Sequence, residues 1–340
     1  MKVFRGYRHP QLAAHCALTI GNFDGVHRGH QAMLALLKNE AQHRGVASCV
    51  MTFEPHPRDY FAALARKPEL APPRIATLRD KLTELAACGI DQVVVLPFDA
   101  RLASQPPDAF ISEVLVQGLR AKYILVGDDF RFGAKRAGGY ALLDAAGQRL
   151  GFDVARMNSY EVQSTRVSSS AVRHALSAGD MAQTASLLGR PYSISGHVVH
   201  GRKLGRDLGF RTLNLRFSHW NPAASGIFAV HVFGLSHKPL IGVANLGIRP
   251  SMDTNDVNGG RVLLETYCLD WPAELGADGG YGKIVCVELL HKLHDELKYD
   301  GLDALKKGIA KDCEDARAYF DTRFANMHNE CARQTMRDRI

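Results

Sequence analysis

The sequence predicts an N-terminal doubly wound α/β domain followed by a smaller antiparallel β-barrel or sandwich. Three observations carry this. The first half alternates short apolar runs with amphipathic stretches, the pattern of a parallel sheet covered on both faces. The texture then changes at Gly189-Arg190-Pro191. Beyond that point, from Tyr192 to about Leu290, short apolar alternations are broken by glycines.

Taken in order, the expected strands of the first half are Ala17–Ile20, Ala47–Phe53, Gln92–Phe98, Lys122–Val126 and Phe152–Arg156. Between them run the helical patterns Gln31–His43, Thr77–Cys88, Pro107–Leu119 and Tyr140–Arg149. Two short helices follow, near Ser169–Ser177 and Met181–Leu188. In the second half, Ser193–Val199, Ile227–Phe233, Leu240–Asn245, Leu263–Leu269 and Lys283–Leu290 read as strands. Leu302–Phe320 returns to a helical period, and the polar residues after about Asn326 read as a loose tail. The boundary near 186–191 gives domains 1–186 and 187–325 with a tail at 326–340. No internal repeat or low-complexity segment interrupts this plan.

Composition narrows the class. The chain has 340 residues, with 46% hydrophobic and 23% charged, so each half can bury a core. Net charge is +7, which suits nucleic acid or small polyphosphate ligands. No Lys/Arg run of five or more occurs, which argues against a nucleic-acid partner. The seven cysteines are scattered without a C-x-x-C pair, as expected of thiols in a reducing cytoplasm. The N-terminus lacks an apolar signal region, and no stretch approaches the roughly 18 apolar residues of a membrane helix. The expectation is a cytoplasmic protein with no membrane partner.

Residues 17–31 read ALTIGNFDGVHRGHQ: an apolar strand, a glycine turn, two histidines and a helix start. Gly21 and Gly25 let backbone approach a ligand closely. His27 and His30 fall where unpaired helix N–H groups already favour an anion, and two imidazoles there can donate to phosphate oxygens. Surface or capping roles are the alternative for these histidines. An H-x-x-H pair is also a weak metal pattern, but no further ligand cluster supports zinc.

GNFDGVHRGH resembles the H-x-G-H motif of the nucleotidyltransferase superfamily, and its flanks resemble the adenylyltransferase module of bacterial bifunctional riboflavin kinase/FAD synthetases. FEPHP at 53–57, VGDDFRFG at 126–133 and RVSSSAVRHAL at 166–176 match the same module, each at or just past the carboxyl end of an expected strand. The resemblance implies that His27 and His30 stabilise the α-phosphorus of ATP while FMN phosphate attacks and pyrophosphate leaves. It implies nucleotide contacts from Gly21, Asn22, Phe23, Asp24 and Gly25. It makes Ser168, Ser169, Ser170 and Arg173 a second phosphate clamp, Arg173 catalytic among them, with Ser170 where the family has Thr. Of the loop residues Asp128 and Asp129, one is expected to contact ligand and the other to cap a turn, with Asp128 taken as the candidate contact.

Residues 196–214 read GHVVHGRKLGRDLGFRTLN, which alone is a weak glycine-loop signal. The segment resembles the phosphate loop of riboflavin kinases. That implies ATP contacts from Gly201, Lys203, Gly205 and Arg206, and Mg²⁺ and phosphate ligation by Thr212 and Asn214, whose oxygens suit a hard cation. GVANLGIRPSM at 242–252 and LLETYCLD at 263–270 extend the match, adding Asn245 as a cofactor contact and Glu265 as general base for the ribityl 5′-hydroxyl. Glu265 stands in an apolar strand, where a carboxylate is expensive to bury unless it works or is paired. The chain departs from the family pattern at Arg211, where Pro is usual, at Leu213, where Ala is usual, and at Ile248, where Thr is common. His294 and the longer loop GADGGYGK at 276–283 depart too.

The resemblance spans roughly residues 15–321. It implies a Rossmann-like nucleotidyltransferase domain, then a six-stranded riboflavin-kinase-like barrel with a terminal helix. It implies Mg²⁺-dependent conversion of riboflavin and ATP to FMN, then of FMN and ATP to FAD, by a monomer or weak homo-oligomer. One alternative is an FAD synthetase whose barrel binds flavin without phosphorylating it. Others are a non-catalytic flavin-responsive protein and an adenylyltransferase for a different acceptor.

Overall fold

The structure is a computed structural model. It describes residues 1–337 except 163–164, 201–209, 218–220, 250–260 and 277; at 248–249, 261 and 325–337 it describes backbone alone. The chain divides into two compact units, Met1–Arg173 with Ser186–Gly189, and His174–Ala185 with Arg190–Ile340.

The first unit is built on a six-stranded sheet. Its strands are β1 (Lys2–Arg5), β2 (Cys16–Ile20), β3 (Ala47–Glu54), β4 (Gln92–Pro97), β5 (Ala121–Gly127) and β6 (Asp153–Met157). They lie in the order β1-β4-β3-β2-β5-β6, all parallel. Side chains alternate across the strands, so the sheet feeds two cores. Leu18, Met51, Val94 and Ile124 pack on one side with Phe110, Ile111 and Leu115. Ala17, Val50, Val93 and Tyr123 pack on the other with Leu34 and Leu37 of α1 (Arg28–His43) and Leu85 of α3 (Leu78–Ala87). Each fully buried leucine contributes about 2 kcal/mol. The strand order reverses between β2 and β5, and a doubly wound sheet opens its ligand crevice at the carboxyl ends flanking such a point.

The remaining helices of the N-terminal half are α2 (Pro57–Leu64), α4 (Ala100–Ser104), α5 (Pro107–Ala109) and α6 (Tyr140–Leu150). Helix α5 continues over Phe110–Gly118 as a widened turn, in which the Leu119 N–H reaches Val114 O. A short hairpin, β7 (Glu161–Val162) and β8 (Thr165–Arg166), precedes α7 (Ser169–Ser177) and α8 (Met181–Leu188).

The second unit contains a closed barrel. Its strands are β9 (Tyr192–Val199), β10 (Thr212–Phe217), β11 (Gly226–Phe233), β12 (Leu240–Arg249), β13 (Arg261–Cys268) and β14 (Ile284–His294), in the order β10-β13-β12-β11-β14-β9. Closure removes the exposed strand edges. Phe228, Val230, Leu264 and Val287 are fully buried. On the alternate positions Ile227, Ala229 and Val243 pack against Ala316 and Phe320 of the C-terminal helix α9 (Leu302–Arg337).

The expected fold class holds for both halves. The differences have local causes. Strand β1 is a four-residue parallel edge, too short to show a period. Strand β10 begins inside the segment read as a phosphate loop, because TLNLRF starts three residues after Gly209. Helix α2 starts with Pro57 at its first position, a helix-start signal hidden in the FEPHP motif. The loose tail expected after Asn326 is instead helical to Arg337, since no Pro or Gly stops the helix after Gly308.

Candidate active sites

From the end of β2 the chain turns through Gly21–Val26 into α1. Phe23, Gly25 and Val26 have φ of 48°, 83° and 40°. Left-handed backbone at Phe and Val costs about 1–3 kcal/mol each and persists only where the surroundings enforce it. Here they do. The carboxylate of Asp24, 1% exposed, accepts from Ile75 N at 3.2 Å, Ala76 N at 3.1 Å and Arg173 Nη2 at 2.7 Å. A Cβ on Gly25 would lie 2.6 Å from Ile75 Cγ2, so only glycine fits.

His27 is the N-cap of α1, its Nδ1 accepting from His30 N at 3.3 Å. That bond puts the neutral ring's proton on Nε2. The His27 and His30 rings stack with centroids 3.6 Å apart. His30 Nδ1 is buried without a hydrogen-bond partner among the described residues, as is Asn22 Oδ1. Burial, then His27 and then Lys81 hold His30 well below the usual imidazole range, so it is neutral at pH 7. The N-terminus of α1 thus presents two stacked imidazoles, that of His30 neutral, where helix N–H groups favour an anion.

Of the other expected residues of the first unit, Ser169 and Arg173 contact this turn. Ser168 Oγ caps α7 by accepting from Ala171 N at 3.2 Å. Ser169 Oγ donates to Asp24 O at 3.2 Å, and Ser170 is exposed. Arg173 Nε donates to Pro73 O at 2.6 Å. Asp24 and Phe23, expected to contact nucleotide, are 1% exposed; their side chains pack inward and brace the turn. Asp128 lies just beyond β5, exposed, accepting from Ser159 Oγ at 2.6 Å and Arg166 at 3.4 Å. The Ser159 hydroxyl, foremost, pulls its carboxyl below the ordinary value.

Behind the turn lies a charged cluster that the sequence did not disclose. Arg74 pairs with Asp59 at 2.8 Å, Glu54 at 3.6 Å and Asp24 at 3.9 Å. Lys81 is completely buried, and burial with Arg74 brings its ammonium down to about 8. His56 caps α2 through Nδ1 and Arg58 N, and burial with Arg74 brings it down to about 3. Nothing in the local pattern of Arg74 or Lys81 sets them apart from surface residues. Beside the cluster, Phe53, Tyr60, Phe61 and Phe98 form an edge-to-face set with centroids 5.3–5.8 Å apart. Phe61 is 49% exposed and lines a cavity of about 510 Å³ with Arg58, Leu64 and Leu70. The aromatic run YFAAL was the signal that could have found it.

In the barrel, Asn214 of β10, Glu265 of β13 and Asn245 of β12 lie directly opposite one another across adjacent strands. Direct cross-strand neighbours share a face, so the three form one polar row. Asn214 Nδ2 donates to Thr212 O at 3.0 Å and to Thr212 Oγ1 at 3.2 Å, drawing the two expected metal ligands together. Asn245 Oδ1 is buried without a hydrogen-bond partner among the described residues. Glu265 is half-buried, on the face opposite to the fully buried Leu264 and Thr266. Arg211 is exposed. Gly201, Lys203, Gly205 and Arg206 lie outside the described residues.

These two constellations coincide with two known families. The FAD synthetase family matches residues 9–171, and the riboflavin kinase family matches residues 188–320. The bifunctional riboflavin kinase/FMN adenylyltransferase of Escherichia coli (strain K12) is 44% identical over 322 residues, covering 94% of this chain and 98% of that protein. Its counterpart from Haemophilus influenzae is 41% identical over 323 residues, covering 95% of this chain and 100% of that protein. A crystal structure described as a macrolide-efflux protein from Streptococcus pneumoniae superposes with a TM-score of 0.71 at 24% identity, covering 93% of this chain and 99% of that one. It shares the fold. Among the described residues no helix is long and apolar enough to cross a membrane. An FAD synthetase domain is followed by a riboflavin kinase domain, and the chain belongs to the bifunctional riboflavin kinase/FMN adenylyltransferase family.

Proposed function

We propose that this transferase makes FMN from riboflavin and ATP in its barrel, and FAD from FMN and ATP in its N-terminal unit. The observation that carries this reading is the presence of both cradles in one chain. The stacked His27–His30 pair stands at a helix start beside the switch point of the sheet. The Asn214–Glu265–Asn245 row stands on the barrel.

For adenylyl transfer, an oxygen of the FMN phosphate attacks the α-phosphorus of ATP and the bond to the β-phosphate breaks. No group on the enzyme is modified. His27 and His30 donate to the oxygens where charge grows, while Arg173 and the start of α7 receive the departing pyrophosphate. Gly21, Asn22 and Gly25 let the nucleotide approach backbone. The exposed face of Phe61, with Tyr60 and Phe98 behind it, is a platform on which the flavin ring can stack. Asp128 holds a position at the same end of the sheet.

For phosphorylation, Glu265 takes the proton of the ribityl 5′-hydroxyl as that oxygen attacks the γ-phosphorus. The Thr212 hydroxyl and the Asn214 carboxamide oxygen fit a hard cation. They are neutral and few, so Mg²⁺ would be held largely by the nucleotide's phosphates and water. Held there, Mg²⁺ would supply positive charge against the phosphates. Gly201, Lys203, Gly205 and Arg206 complete the phosphate loop in this reading. The enzyme works in the cytoplasm as a monomer or weak homo-oligomer, with small molecules as its partners. The free thiols of Cys16 and Cys49, buried on neighbouring strands, fit a reducing compartment. The test is a time course from riboflavin with ATP and Mg²⁺. FMN followed by FAD is the expected result, and no conversion of either flavin would end the proposal.

A further inference from the structure

Lys81 sits one turn into α3, with no exposed surface. Its ammonium makes one hydrogen bond, 3.4 Å to Thr52 Oγ1, and no ion pair among the described residues. The carboxylates that act on it are engaged elsewhere: Asp24 by Arg74 and Arg173, Glu54 and Asp59 by Arg74. A buried cation so poorly satisfied is destabilising, and a methionine would fill the same volume. Helix stability therefore gives no reason for a lysine here.

The geometry gives another. An ammonium can only donate, so Thr52 Oγ1 accepts from Lys81 and sends its own proton onward. That proton goes to Asn22 O at 3.2 Å, in the strained turn ahead of His27. The turn and the first turn of α1 carry two buried polar atoms without partners among the described residues, Asn22 Oδ1 and His30 Nδ1. Three carboxylates (Asp24, Glu54, Asp59) face three cations (Arg74, Arg173, Lys81) around it, and Lys81 is the cation that no carboxylate neutralises by contact.

We propose that Lys81 is a positioning residue for adenylyl transfer. Through Thr52 it fixes the Asn22 carbonyl and hence the turn that presents His27 and His30, and it places a positive charge behind that turn where nucleotide phosphates bind. The proposal rests on the N-terminal unit being the FMN adenylyltransferase.

The test compares the full-length wild type with Lys81→Met and Thr52→Val. FAD formation from FMN, FMN formation from riboflavin and thermal unfolding are each followed from pH 6 to 9.5. Both variants should form FAD about tenfold to a hundredfold more slowly, the range that small misplacements at a reacting centre produce. Both should keep the rate of FMN formation, and Lys81→Met should unfold no earlier than wild type. The wild-type FAD rate should fall above pH about 8, as Lys81 loses its proton, and Lys81→Met should lack that fall. The His30 titration, read by NMR without turnover, should move upward in Lys81→Met. A Lys81→Met enzyme with wild-type FAD rates and pH profile would overturn the proposal. So would a lowered unfolding midpoint with equal loss of both reactions, the mark of a merely structural residue. A wild type that makes no FAD would instead overturn the adenylyltransferase reading, and the His30 titration would still report whether Lys81 acts on that ring.

Discussion

The guanidinium of Arg173 donates to the buried carboxylate of Asp24 at 2.7 Å, so the cation expected to grip phosphate is held by the turn between β2 and α1. Asp24 also anchors Ile75 and Ala76 through their N–H groups. One carboxylate therefore joins the ends of β2, α7 and the entry to α3. Asp24→Asn keeps the shape but leaves Arg74 and Arg173 short of a charge. It should destabilise the N-terminal unit by about 3 kcal/mol, measured by urea unfolding. Arg173→Lys, which cannot reach both Asp24 and Pro73 O, should slow FAD formation while leaving FMN formation unchanged.

His27→Asn and His30→Asn remove the imidazoles proposed to donate to the developing charge. Each should lower kcat for FAD formation by about 10²–10³-fold, the usual loss for one such donor. Flavin binding, followed by fluorescence, should persist. A His27→Asn enzyme with normal kcat would exclude the imidazole from the chemistry.

Glu265→Gln removes the proposed base from the barrel row while keeping its size. FMN formation from riboflavin should fall by about 10²–10⁴-fold, and FAD formation from supplied FMN should stay at the wild-type rate. Separate assays of the two half-reactions check this.

His56 has its folded-state titration near pH 3, below the ordinary imidazole value of about 6.5. Between those values the unfolded chain binds a proton that the folded chain refuses, so stability falls as pH drops through 6.5 toward 3. The loss from this residue should reach about 2 kcal/mol at pH 5. Comparison of wild type with His56→Asn, which can still cap α2, should show the pH dependence weakened in the variant.

Phe61→Ala removes the exposed aromatic platform. KM for FMN in adenylyl transfer should rise about tenfold, with KM for ATP little changed. Equal effects on both would place the flavin elsewhere.

Local patterns disclosed much of this. The period of the apolar runs marked the inner strands of the sheet, and His27 and His30 could be placed at a helix start from the strand and glycine turn before them and the helical period after them. The barrel strand β10 was concealed by the glycines before it, and β1 by its length. The braced turn was not legible because it is built from distant residues. Asp24 meets Ile75, Arg74 and Arg173 only after the sheet has formed. Lys81 looks like one more exposed helical lysine until α3 packs with it facing Thr52. Glu265 stands out in an apolar strand, but only strand register shows it between two asparagines.

The central claim is that one chain carries both reactions, and a time course tests it most directly. Purified full-length protein is given riboflavin, ATP and Mg²⁺, and riboflavin, FMN and FAD are separated by chromatography. FMN should accumulate first and FAD should follow at its expense. FAD from supplied FMN but no FMN from riboflavin would contradict the claim, leaving the barrel without its kinase.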